Sequence, residues 1–184
     1  MPRTRTADKA EKQAEILRAA EERVRAGGYA ALSVAAIARE LGVAQNTVYW
    51  YFPSKDHLFV AVVERLLGEA LADQPPSTWQ PVRRILWFTD HLAPLWPLFR
   101  TLYEADGRLE VAEACLARVD EAVTATLTDA FAELVSPREV AATVAVFRAT
   151  VDGVFARGLE PPARRLVLRY AAARLTRDPG PRPG

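Results

Sequence analysis

The sequence predicts an all-α protein, and three observations carry that prediction. Apolar residues recur at helical spacing almost throughout, as at Ile16, Ala20 and Val24. No segment sustains strand-like alternation, and no Asn-Gly or Asp-Gly turn joins two β-branched runs. Half of the 184 residues are hydrophobic and 26% are charged, the balance of a folded chain rather than a disordered one.

The elements follow in order. A first helix runs from about Asp8 to Ala26, with Ile16, Ala20 and Val24 on one face, and Gly27-Gly28 stops it. Ser33 caps a second helix whose buried stripe is Val34, Ile37, Ala38 and Leu41, and Gly42 ends it. A short third helix spans roughly Gln45 to Phe52, turning Val48 and Phe52 inward. Pro53 breaks the chain, and Ser54 caps a fourth helix with the stripe Phe59, Val62, Val63 and Leu66. The run Asp73-Gln74-Pro75-Pro76-Ser77-Thr78 cannot stay helical and marks the internal boundary. Beyond it, Val82–Ala93, Leu95–Ala105, Leu109–Val135 and Ala163–Thr176 read as helices, with a turn at Asp106-Gly107. Ser136-Pro137-Arg138-Glu139 reads as a capping box that opens a further helix at Pro137, reaching about Arg157. The expected organisation is an arm over 1–9, a domain over 10–53, a connecting helix over 54–73, a helical domain over 74–177 and a disordered Pro/Gly tail over 178–184.

Composition removes several function classes. Cys115 is the one cysteine, so no intrachain disulfide and no cysteine-based zinc site is expected. His57 and His91 lie far apart, and no nucleophile–base pair or phosphate loop appears. No catalytic residue, metal or cofactor is therefore expected. No apolar run is long enough for a bilayer, and the basic N-terminal residues lack the apolar core of a secretory signal. A cytoplasmic protein without membrane contact is the expectation. Net charge is +1, so any attraction to a polyanion must be local.

Residues 33–52 carry the most information. Burying Val48 and Phe52 leaves Gln45, Asn46, Thr47, Tyr49, Trp50 and Tyr51 outside the inner stripe of the third helix. Consecutive aromatics are costly to expose without a partner. A helix-turn-helix supplies one, because its second helix enters the DNA major groove. Gln and Asn pair two-pronged with adenine, Thr touches a thymine methyl, and tyrosine hydroxyls suit phosphate oxygens. Lys55 stands in the first turn of the fourth helix, where a cation opposes the helix dipole and an anion relieves the conflict.

The stretch Gly28-Tyr29, then Leu32 through Val43, then Thr47-Val48-Tyr49-Trp50-Tyr51-Phe52-Pro53-Ser54-Lys55-Asp56-His57-Leu58-Phe59, resembles the DNA-binding domain of TetR/AcrR-type transcriptional regulators. The resemblance covers about residues 10–65. It implies operator binding as a homodimer, with a C-terminal domain that binds a small effector and dimerises through its last two helices. By position it implies that Ser33 caps a helix and touches phosphate. Thr47, Tyr49, Trp50 and Tyr51 match recognition-helix positions, and Lys55 matches a phosphate-contacting lysine. The chain departs from the family at Ala44-Gln45-Asn46, where Ser-Lys-Gly is frequent. The recognition helix thus has no cation of its own, and Arg3, Arg5, Lys9, Lys12 and Lys55 are the candidates to attract DNA.

In the second part, Trp87, His91, Trp96, Phe99, Tyr103 and Phe147 form an aromatic set. Ordinary core packing is the simpler reading of any one of them. Together they suggest a pocket for an apolar or aromatic effector. Val144, Phe147, Val151, Leu166 and Tyr170 on the final helices are the expected dimer face, alongside the alternative of packing within the monomer. The whole reads as a ligand-responsive repressor on a palindromic operator, released by a small molecule. The alternatives are a helical binding or interaction protein without DNA binding, or a small helical enzyme.

Overall fold

The computed structural model describes residues 5–104 and 110–176, and among them the regular structure is helical with no strand. Arg3, the Asp106-Gly107 turn and the tail lie outside the described residues, as do the side chains of Arg5 and Glu110. The helices are α1 (Arg5–Ala31), α2 (Val34–Glu40), α3 (Gln45–Tyr51), α4 (Lys55–Ala72), α5 (Pro81–Leu92), α6 (Trp96–Glu104), α7 (Glu110–Ala132), α8 (Val140–Ala156) and α9 (Pro161–Leu175). A 3₁₀ turn at Ala93–Leu95 joins α5 to α6.

α1 begins at Arg5, so the second half of the expected arm is helical. It breaks at Gly27-Gly28, as the sequence requires. Gly28 takes φ +63° and ψ −155°, a conformation closed to residues with a Cβ, and a last turn then reaches Ala31. The Ser136–Glu139 box works differently from expectation. The Glu139 carboxylate accepts from the Ser136 N–H at 3.2 Å and from its hydroxyl at 2.6 Å. The Ser136 hydroxyl is thereby spent on Glu139, the segment closes as a turn through Glu139 N–H to Ser136 O, and α8 starts at Val140.

The described residues form two compact units, 5–69 with 97–104 and 110–117, and 70–96 with 118–176. Residues 97–104 and 110–117, with the buried Leu98, Phe99, Leu102, Ala112, Cys115 and Leu116, group with the N-terminal helices. The first unit buries Ile16, Ala20 and Val24 from α1, Val34, Ile37 and Ala38 from α2, Val48 from α3, and Leu58, Phe59, Val62, Val63 and Leu66 from α4. Leu41 is only half-buried. Arg25 and Arg65 bridge Glu21 and Glu69, tying α1 to α4 at the surface.

The second unit packs around Phe131 and Phe147, whose rings meet edge-to-face at 5.3 Å, with Ile85, Leu127, Val140, Val144, Val154, Leu168 and Ala172. α8 and α9 pack together through this core. Val144 and Phe147, expected at a dimer face, are buried within the protomer here, because they lie on the inner stripe of α8. The outer surface of the pair instead presents Val146, Leu166, Val167 and Tyr170.

Candidate nucleic-acid interface

α2 and α3 are short, and each has its own entry. The Ser33 side chain accepts from the Ala36 N–H at 3.2 Å and caps α2. Gly42 turns the chain at φ +65°, and Val43 N–H bonds Ala38 O at 2.9 Å to fix the return. α3 then starts at Gln45 behind Ala44, which offers no side-chain cap. Val48 is fully buried and Phe52 nearly so, which locks the helix face-down. Gln45, Asn46, Tyr49 and Trp50 are exposed, Trp50 by 64%, while Thr47 and Tyr51 are half-buried. The polar and aromatic side chains named from the sequence therefore share one accessible surface of the first unit.

Two cations flank that surface. Lys9 of α1 holds its ammonium 4.5 Å from the centre of the Trp50 ring, which meets Tyr51 edge-on at 4.7 Å. Lys55 lies 4.0 Å over the Tyr29 ring. Tyr29 donates a 2.6 Å hydrogen bond to Asp56 Oδ1, and its ring packs edge-on against Phe59. That hydrogen bond and partial burial push the Tyr29 phenol up to about 12. Lys12 is committed elsewhere, to Glu15 at 2.5 Å, and that contact raises its pKa. Ser54 caps α4, accepting from His57 N–H at 3.2 Å while sharing a 2.9 Å hydrogen bond with the His57 ring. Sequence reasoning missed the Tyr29 platform and the Lys9–Trp50 contact. The pairing of a lysine with an aromatic in each would have been the signal, but the partners lie far apart along the chain.

Comparison with known proteins places this arrangement. Residues 16–62 match the family described as bacterial regulatory proteins, tetR family. Over these residues the helix-turn-helix is similar to that family. Solved structures match across most of the chain. A TetR transcriptional regulator from Legionella pneumophila aligns with TM-score 0.68 and 19% identity, covering 89% of this chain and 96% of that one. The multidrug binding protein EbrR, complexed with proflavin, aligns with TM-score 0.58 and 23% identity over 89% and 98%. A TetR variant from Acinetobacter baumannii AYE in complex with minocycline gives 0.57 and 19% over 89% and 97%. At these identities the likeness is one of fold. Among curated protein sequences none is similar enough to this chain to count as a match.

The aromatic set expected to line a pocket is distributed otherwise. Phe99 and Tyr103 belong to the first unit, Phe99 buried and Tyr103 half-exposed. In the second unit Trp87 stacks on His91 at 4.5 Å, Trp96 stacks on Phe155 at 4.6 Å, and Phe147 is core. His91 also faces Asp73 at 3.6 Å. A cavity of about 400 Å³ in this unit is lined by Gln74, Pro75, Ser77, Arg84, Ile85, Phe88, Thr126, Leu127, Asp129 and Ala130, and by none of the set. It is not legible in the sequence, since its walls come from a loop and two helices distant in the chain. Among the described residues no group of three or more His, Cys, Asp or Glu side chains is placed to hold a metal ion. Nor is any helix long and apolar enough to cross a membrane.

Proposed function

We propose that the protein is a cytoplasmic, dimeric, effector-responsive repressor that binds a palindromic DNA site through α3. The observation that carries this is the exposed surface of α3, with Gln45, Asn46, Thr47, Tyr49 and Trp50 accessible above a buried Val48 and Phe52. Gln45, Asn46 and Thr47 stand at the helix start, where base edges come within reach. Tyr49, Tyr51, Ser33 and Lys55 serve phosphates. Lys9, carried on the Trp50 indole, supplies the charge that α3 lacks.

For the dimer face we replace the buried Val144 and Phe147 by the exposed Val146, Leu166, Val167 and Tyr170, with Val151 half-buried beside them. The alanines of α8 permit close helix approach there. Two copies of α3 then read two half-sites a helical turn apart. The second unit is the effector-binding part. Relatives of this fold hold proflavin and minocycline, so a small, largely aromatic effector is the class expected. An effector that favours the DNA-free state weakens DNA binding by its own differential affinity for the two states.

Selection of bound fragments from genomic DNA with the purified protein tests the reading. Enrichment of an inverted repeat, lost with Tyr49→Ala, is the expected result. Recovery of no sequence above background contradicts it.

A further inference from the structure

The cavity of about 400 Å³ in the second unit has a chemical bias that names its ligand class. Its walls are apolar at Phe88, Ile85 and Leu127, all buried. Its polar lining is rich in acceptors. Gln74 gives one amide N–H to Leu71 O at 2.7 Å and keeps its carbonyl oxygen as an acceptor. Thr126 spends its hydroxyl proton on Ala122 O at 3.0 Å, which leaves that oxygen able only to accept. Asp129 brings a carboxylate that has no ion-pair or hydrogen-bond partner among the described residues.

The one cation in the wall does not balance this. Arg84 is ion-paired to Glu133, so their charges cancel and the charge of Asp129 remains. Arg84 still offers a donor, because its Nε–H is buried without an acceptor. A free anion would meet a neutralised guanidinium and an uncompensated carboxylate. A molecule with an apolar ring, an ammonium or similar N–H donor at one end and one hydrogen-bond acceptor at the other satisfies each group in turn.

We infer that this cavity is a binding site for a small aromatic or apolar organic cation, with Asp129 as its counter-charge and Arg84 Nε–H as the donor to its acceptor atom. This rests on reading the second unit as the effector-binding part of the protein.

Three probes of matched size test it on the full-length protein: tyramine, 4-hydroxyphenylacetamide and 4-hydroxyphenylacetate. Titration calorimetry is expected to rank the cation above the neutral amide and the amide above the anion, with about tenfold or more between the extremes. Asp129→Asn, at an exposed position, removes most of the advantage of tyramine and leaves the amide unchanged. Ser77→Trp, which adds bulk at an exposed point of the lining, weakens all three. An anion that binds as tightly as the cation, a cation indifferent to both substitutions, or failure of all three probes to bind overturns the inference. Repeating the titrations with the selected DNA fragment separates the two claims. Asp129-dependent tyramine binding that leaves DNA affinity unchanged supports the site and contradicts only the effector coupling.

Discussion

Tyr29 and Lys55 show how single residues prepare a surface for an anion. A lysine in the first turn of α4 faces the positive end of the helix, a position that disfavours it. The Tyr29 ring face offsets part of that, and the Tyr29 hydroxyl is itself held by Asp56 at 2.6 Å. Because the phenol is raised to about 12 in the folded state, its contribution is complete below its ordinary value near 10 and is lost as pH rises through about 12. A phenolate absorbance titration, taken as the difference between wild type and Tyr29→Phe, is expected to show one tyrosine titrating late. A difference curve centred near the ordinary value contradicts the hydrogen bond. Lys9 of α1 is held on the Trp50 ring of α3. The losses of DNA affinity from Lys9→Gln and Trp50→Ala are therefore expected to be non-additive in a double-mutant cycle, and simple addition contradicts the contact. The sequence made Lys9 a candidate by its charge, and Lys55 by its place in the first turn of the fourth helix and its match to the family motif. Their aromatic partners were hidden because they come from other elements.

At the scale of elements, the starts and stops written in glycine, proline and serine were legible. Gly42 and Gly28 take positive φ where the helices were expected to end, and Ser33 and Ser54 cap. The buried stripe of α4 was legible too, since Phe59, Val62, Val63 and Leu66 are all inside. What the spacing could not decide was which side of an apolar helix meets its own protomer. α8 is apolar nearly all round, so Val144, Phe147 and Val146 look alike in sequence, and only packing against Phe131 and Leu168 separates them. Nor could it tell that Ser136 would give its hydroxyl to Glu139. α3 has only seven residues and an alanine at its N-cap. Ala44→Ser is expected to raise stability by about 1 kcal/mol, and Ser33→Ala to lower it by about as much. Urea unfolding followed by circular dichroism measures both. Ile37→Ala, which empties a fully buried site, is expected to cost about 2–5 kcal/mol in the same experiment. Equal and small effects of all three would mean that α2 and α3 are not held as described.

At the scale of the whole molecule, the proposal needs two copies of the chain. Leu166 and Tyr170 are 59% and 62% exposed, on a helix whose opposite side is buried core. Leu166→Glu places a charge on that face without touching the protomer interior. Sedimentation velocity is expected to show a dimer for wild type and a monomer for the variant, with the far-ultraviolet spectrum unchanged. A dimer that survives the substitution moves the interface elsewhere. The central claim is that α3, flanked by Lys9 and Lys55, is a DNA-reading surface. It is tested most directly by the salt dependence of affinity for the selected site, in wild type, Tyr49→Ala and Lys55→Ala. The account predicts a steep fall of affinity with salt for wild type. It predicts that Lys55→Ala lowers the slope by about one per half-site, and that Tyr49→Ala weakens binding at every salt concentration. A shallow slope that neither substitution alters would contradict it.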